Sequence, residues 1–304
     1  MVPTTRAWLQ IHFCVVLWGF TAILGKAISL SAFPLVTWRM IIVTTALMVA
    51  PRFWKGLAKL PLRVIAADAG IGLVVAAHWL AFYGAIKLSN ASVAATCMAL
   101  APIFMAFVEP VLVGSRFEVR DAFFGLAVIP GVILVVGGTQ VEMRLGFAVG
   151  VLSALLATVF GALNKRLISY GQPLSVTGVE MATGALCLIA GSIILGKSES
   201  VLAVPAKRDL ILLLTLAIGC TLVPFALSLV AQRHLSAFAA ALAVNMEPVY
   251  AIFLAIPIFH EQQQLQGRFY IGVAIILLVV FSHPLVVRGK LATDYADLKS
   301  VKSV

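Results

Sequence analysis

The chain has 304 residues, of which 62% are hydrophobic and only 11% charged, with mean hydropathy +1.08 and a formal net charge of +10. That composition excludes a soluble globule and sets an integral membrane protein. Connections between the apolar runs reach about a dozen residues at most, so no extramembrane domain has room to fold.

A helix needs about 18 to 25 apolar residues to cross roughly 30 Å of hydrocarbon, and such runs can be bracketed ten times. They fall at 8–30, 33–51, 64–88, 91–113, 121–137, 145–168, 173–196, 209–232, 236–258 and 267–287. Arg6 ahead of the first run imitates a signal peptide. The run continues for over 20 residues and is the first member of a repeat, so it reads as an uncleaved span.

The repeat is visible residue by residue. Lys26 meets Lys165 and Pro34 meets Pro173 at an offset of 139, whereas Lys87 meets Arg233, Ala91 meets Ala237 and Pro102 meets Pro248 at 146. The second copy has gained seven residues between these anchors. Five spans per copy is an odd number, which forces the second copy to enter the membrane from the opposite side. The expected fold is therefore all-α, with ten transmembrane helices in two inverted five-helix repeats. Residues 1–138 form the first repeat, 139–288 the second, and 289–304 a cytoplasmic tail.

With the first residue inside the cell, 14 Lys and Arg fall on the inner side against 7 outside, which places both termini in the cytoplasm. The net positive charge then reads as topology and attraction to anionic lipid, with no sign of a nucleic-acid site.

Cys14, Cys97, Cys187 and Cys220 all lie in apolar runs, where packing is the simple use of a thiol. No phosphate loop of the G-x-x-x-x-G-K-[ST] type and no G-x-S-x-G elbow occurs. His260-Glu261-Gln262-Gln263-Gln264 lacks the second histidine of a zinc protease helix. An enzyme is not expected, and neither a metal nor another cofactor is implied.

Charges inside the runs carry the functional reading, because an ionisable group at membrane depth costs about 3 kcal/mol unless paired or wetted. Glu247 stands twelve positions into its run, with Asn245 before it and Pro248 after it. Pro248 should bend that helix and free the carbonyl of Val244. Glu247 then either faces a substrate cavity or pairs permanently with a base. His78 lies in the third run, where it serves a wet cavity or a neutral hydrogen bond inside the bundle.

Arg39 and Glu180 occupy nearly corresponding places, with Lys26 and Lys165 beside them, and the four form candidate gates at opposite mouths. For the lysines, snorkelling to headgroups is the competing use. Trp18, Trp79, Tyr83 and Tyr250 are candidate cavity walls, with core packing as the alternative.

The order of several short motifs resembles the drug/metabolite transporter superfamily in its EamA-like branch. They are Trp18-Gly19-Phe20 through Lys26, Pro34-Leu35 with Arg39, Ala85-Ile86, Ser89 to Ala91 and Pro102 in the first copy. Leu235-Ser236-Ala237, Asn245-Met246-Glu247-Pro248 and Glu261 answer them in the second. Two positions depart from the family pattern: Ser115 replaces an acidic residue, and His260 replaces a glycine.

The resemblance implies a multi-pass permease of the bacterial cytoplasmic membrane that exports amino acids or other small metabolites. Its partners would be the small-molecule substrate and membrane lipid, with protons as one candidate coupling ion; an uncoupled facilitator and an importer stand as alternatives. A non-transporting sensor or assembly subunit is the rival outside transport, and inverted repetition argues against it.

Overall fold

The computed structural model of the chain describes residues 3–114, 117, 119–167, 170–232 and 243–282. Among them every regular element is a helix. In hydrocarbon a backbone amide has no water to bond, so a helix that satisfies its own polar groups is the economical form of each apolar run.

In chain order these are α1 (Pro3–Ala27), α2 (Ala32–Met48), α3 (Pro51–Leu57), α4 (Leu62–Leu88), α5 (Ala91–Met98), α6 (Ala101–Val113) and α7 (Val119–Gly138). The second half holds α8 (Arg144–Leu167), α9 (Pro173–Ile194), the short α10 (Ser198–Leu202), α11 (Lys207–Leu214), a π-helical stretch Thr215–Leu222, α12 (Val223–Gln232), α13 (Glu247–Phe259) and α14 (Gly267–Ser282).

Six stretches are long and apolar enough to cross a membrane: within α1, α4 and α9, and across Ala91–Val113, Val141–Asn164 and Lys207–Phe225. The pair α2 and α3, bent by 88° between them, makes a seventh if counted as one span. Phe123–Gly138, α13 and α14 are apolar but shorter. Each of the ten predicted runs holds one of these helices; the predicted run 236–258 is described only from Ala243 onward.

The two halves interleave. Helix α4 packs along both α8 and α9, α2 lies on α9, and α1 is held between α12 and α13. Close approach is built in where glycine meets backbone: a Cβ on Gly72 of α4 would collide with the backbone of Glu180 in α9. The end of α1 meets the start of α11 through Ser29 and Asp209, the end of α4 meets the start of α8 through Ser89 and Gly146, and Lys87 of α4 reaches the Ile28 carbonyl, so these junctions gather at one end of the bundle.

Both halves break a helix at the same register. Helix α5 stops at Met98 and α6 restarts at Ala101; 146 residues later a turn at Asn245 and Met246 precedes α13. This corrects the expectation of a bend inside a continuous helix. Pro248, like Pro102, sits in the first turn of a new helix, where a missing N–H costs nothing and its fixed φ is pre-organised. The Met246 N–H bonds the Ala243 carbonyl at 3.0 Å, a tighter link than the α-helical one.

The helix ends also match. Gly114 after α6 has φ +79°, and His260, its partner at offset 146, has φ +53° after α13. A left-handed residue closes each helix, and only the first copy uses the residue that adopts it freely.

Candidate functional site

Where the second break occurs, a cavity of about 430 Å³ opens between α6, α8, α13 and α14. Asn245 and Glu247 line it with Pro102, Pro248, Met105 and Thr158. Asn245 stands in the break itself and Glu247 opens the new helix, and residue 101, at the register of Glu247, is an alanine that leaves room.

Thr158 does not offer a spare hydroxyl, since its Oγ1 donates to the carbonyls of Ala154 and Ala101 at 2.9 and 3.2 Å. That second bond ties α8 to the first residue of α6. The free polar chemistry of the cavity therefore comes chiefly from Asn245 and Glu247.

Arg39 is buried at 5% exposure in the middle of α2, away from either helix end. Its guanidinium donates through Nη1 to the Tyr83 hydroxyl at 2.6 Å and through Nη2 to Thr221 Oγ1 at 2.8 Å. It also stacks 3.7 Å from the centre of the Trp79 ring, a cation–π contact that is strong when desolvated. Thr221 can receive this bond because it lies in the π-helical stretch, where its own hydroxyl donates five residues back to Leu216. Glu247 is within electrostatic reach of Arg39, though the two form no direct ion pair.

The remaining sequence candidates separate by place. His78 does not line the cavity: Nδ1 sits 2.9 Å from the Ser153 carbonyl and 3.0 Å from its hydroxyl, between α4 and α8, with Phe82 and Phe160 around the ring. Trp18 and Tyr250 pack against the small core of Ala7, Ile11, Val15, Ala231 and Ala243, where the Tyr250 hydroxyl meets His12 at 3.2 Å.

Lys26 lies at the far end of α1, paired with Glu261. Glu180 is buried between α4 and α9. The side chain of Lys165 falls outside the described residues.

Sequence reasoning missed Thr221, Ser153, Asp68 and Asp209. The two acids carried the same signal as Glu247, a carboxylate within an apolar run. The threonine and serine gave none, being ordinary membrane-helix residues.

An all-helical bundle of interleaved halves around a polar-lined cavity defines a multi-pass membrane protein of the transporter class. The model of the EamA-like transporter family matches residues 6–137 and again 144–282, and the chain belongs to that family, within the drug/metabolite transporter superfamily. No curated protein matches the chain. Fourteen chains of solved structures do. One crystal structure aligns over 93% of this chain and 98% of its own with a TM-score of 0.62 at 19% identity, a likeness of fold.

Proposed function

We propose that this protein is a permease of ten spans in two inverted repeats, which exports a small organic metabolite by alternating access around the Glu247 cavity. The observation that carries the reading is the cavity itself, set where both repeats interrupt a helix and where Glu247 and Asn245 present polar groups to it. Interrupted helices at a repeat interface are the usual way a transporter exposes polar groups inside a membrane.

A carboxylate and an amide suit a substrate with an ammonium or another donor, as in amino acids and related compounds. In this reading the membrane is the bacterial cytoplasmic one, with both termini in the cytoplasm and the Lys26–Glu261 end outside; the excess of Lys and Arg on the inner side supports that orientation. Glu247 is also placed to carry a coupling proton.

The testing experiment compares metabolites released by cells overproducing the wild type, Glu247→Gln at matched membrane level, and empty vector. A compound released by the wild type alone names the substrate and puts Glu247 in the cycle. Equal release by both proteins above vector retains transport and removes Glu247, and release by neither removes export.

A further inference from the structure

Away from the cavity, the seam between α4 and α9 encloses a second set of acidic groups. Asp68 of α4 is 0% exposed and Glu180 of α9 is 4% exposed. Both Asp68 carboxylate oxygens and Glu180 Oε1 lack any hydrogen-bond partner. Asn164 of α8 reaches Glu180 with its amide, leaving its own Oδ1 unpartnered, and the charge of Asp68 is felt at Glu180.

Four buried oxygen acceptors, on α4 and on the two helices packed against it, thus lack a donor among the described residues. Among the described residues, the charged groups of the surrounding elements are turned elsewhere. Arg39 of α2 is bonded to Tyr83 and Thr221, His78 of α4 to Ser153, and Arg166 of α8 to the Leu112 carbonyl. Arg52 and Lys55 of α3 and Arg63 at the start of α4 are exposed, and none forms an ion pair among the described residues.

Two buried carboxylates without a cation beside them cannot both stay ionised at tolerable cost. No cation of the described residues answers them, and a proton fits a space this tightly closed. Gly72 sits one turn beyond Asp68, against the Glu180 backbone, and Gly184 packs near the Gly72 carbonyl, so the helices touch here.

We propose that Asp68 and Glu180 form a proton-binding site in the seam between the two repeats, and that its loading sets how tightly α4 and α9 are held together. The site is distinct from the Glu247 cavity. Its use in coupling rests on the transport reading: with the proton bound the seam closes, and with it released two like charges push the halves apart.

The test is infrared pH titration of the purified full-length protein in a Glu247→Gln background, in sodium and in choline buffers. The expected result is a protonated-carboxyl band that vanishes as pH rises, identically in both buffers. It should be lost in Asp68→Asn and shifted in Glu180→Gln. In parallel, the protection factors of α4 and α9 amides, with the intrinsic base-catalysed exchange rate divided out, should fall over the same pH range and stay constant with pH in Asp68→Asn.

A band untouched by both substitutions overturns the site, as does one that follows sodium at fixed pH. Absence of any protonated carboxyl in the Glu247→Gln protein does so without needing either variant to fold. Protection factors that ignore pH while the band titrates overturn the link to the seam. If the band and the exchange behave as expected but no metabolite is released by cells, the transport reading fails and the proton site stands.

Discussion

Lys26 Nζ lies 2.7 Å from Glu261 Oε1, joining residues 235 positions apart in the chain. Glu261 is fully buried, and its carboxylate also accepts the backbone N–H groups of Ala91 and Ser92 at 3.0 and 2.9 Å. One side chain from the second repeat therefore caps the first turn of α5 in the first repeat, where the orphan amides of a helix start welcome an anion. Asp209 bonds the Ser29 amide and hydroxyl nearby, and Lys87 donates to the Ile28 carbonyl. This end of the bundle is latched.

The latch predicts strong coupling between its two members. Lys26→Met leaves a buried carboxylate without its cation, and Glu261→Gln removes the anion from the cap; each should cost about 3 kcal/mol. The double variant should cost less than the sum by about 1–3 kcal/mol. Thermal unfolding of the four proteins in one detergent measures this, and additive losses would mean that the pair is incidental.

Arg39 should not tolerate lysine. Lys keeps the charge but cannot donate to Tyr83 and Thr221 at once while lying flat on Trp79. Arg39→Lys should lose about 1–3 kcal/mol of stability, comparable to Tyr83→Phe and Thr221→Val combined. A stable Arg39→Lys protein would show that position 39 needs charge alone.

The seam of α4 and α9 supplies a contrast between two glycines. Gly72→Ala places a methyl against the Glu180 backbone and should destabilise by about 1–3 kcal/mol. Gly70→Ala, with nothing within 4 Å, should be neutral or slightly stabilising through better helix propensity. Equal effects at the two positions would place the helices farther apart than described.

His260→Gly should stabilise the protein by about 1 kcal/mol, since a left-handed residue with a side chain is strained there and glycine is not. His260→Ala, which keeps the Cβ, should give no such gain. Thermal unfolding again decides.

Filling the cavity should stop traffic without unfolding the bundle. Ala157→Trp projects into the space beside Asn245, and release of the exported compound should fall at least about tenfold, equivalent to about 1.4 kcal/mol. Unchanged release at equal membrane level would place the route elsewhere.

Hydropathy alone marked every helix-bearing run, because backbone satisfaction in hydrocarbon leaves few alternatives, and the anchors Pro102 and Pro248 marked the level of both breaks. What could not be read was direction. Whether Arg39 ends at a mouth or in an aromatic cage depends on Thr221, 182 residues away, and on a π-helical turn with no signature in the apolar pattern. The two uses open to His78 likewise differ only in which neighbour its ring meets, and Ser153 gave no hint from its own position.

The matched breaks divide what the two halves share from what they do not. Prolines at 102 and 248, and left-handed ends at 114 and 260, stand at the same register in both copies. Glu247 meets Ala101 at that register. Two free-standing copies assembled as a pair would have brought either two carboxylates to the same cavity or none. Two unlike halves in one chain bring a single acid to it.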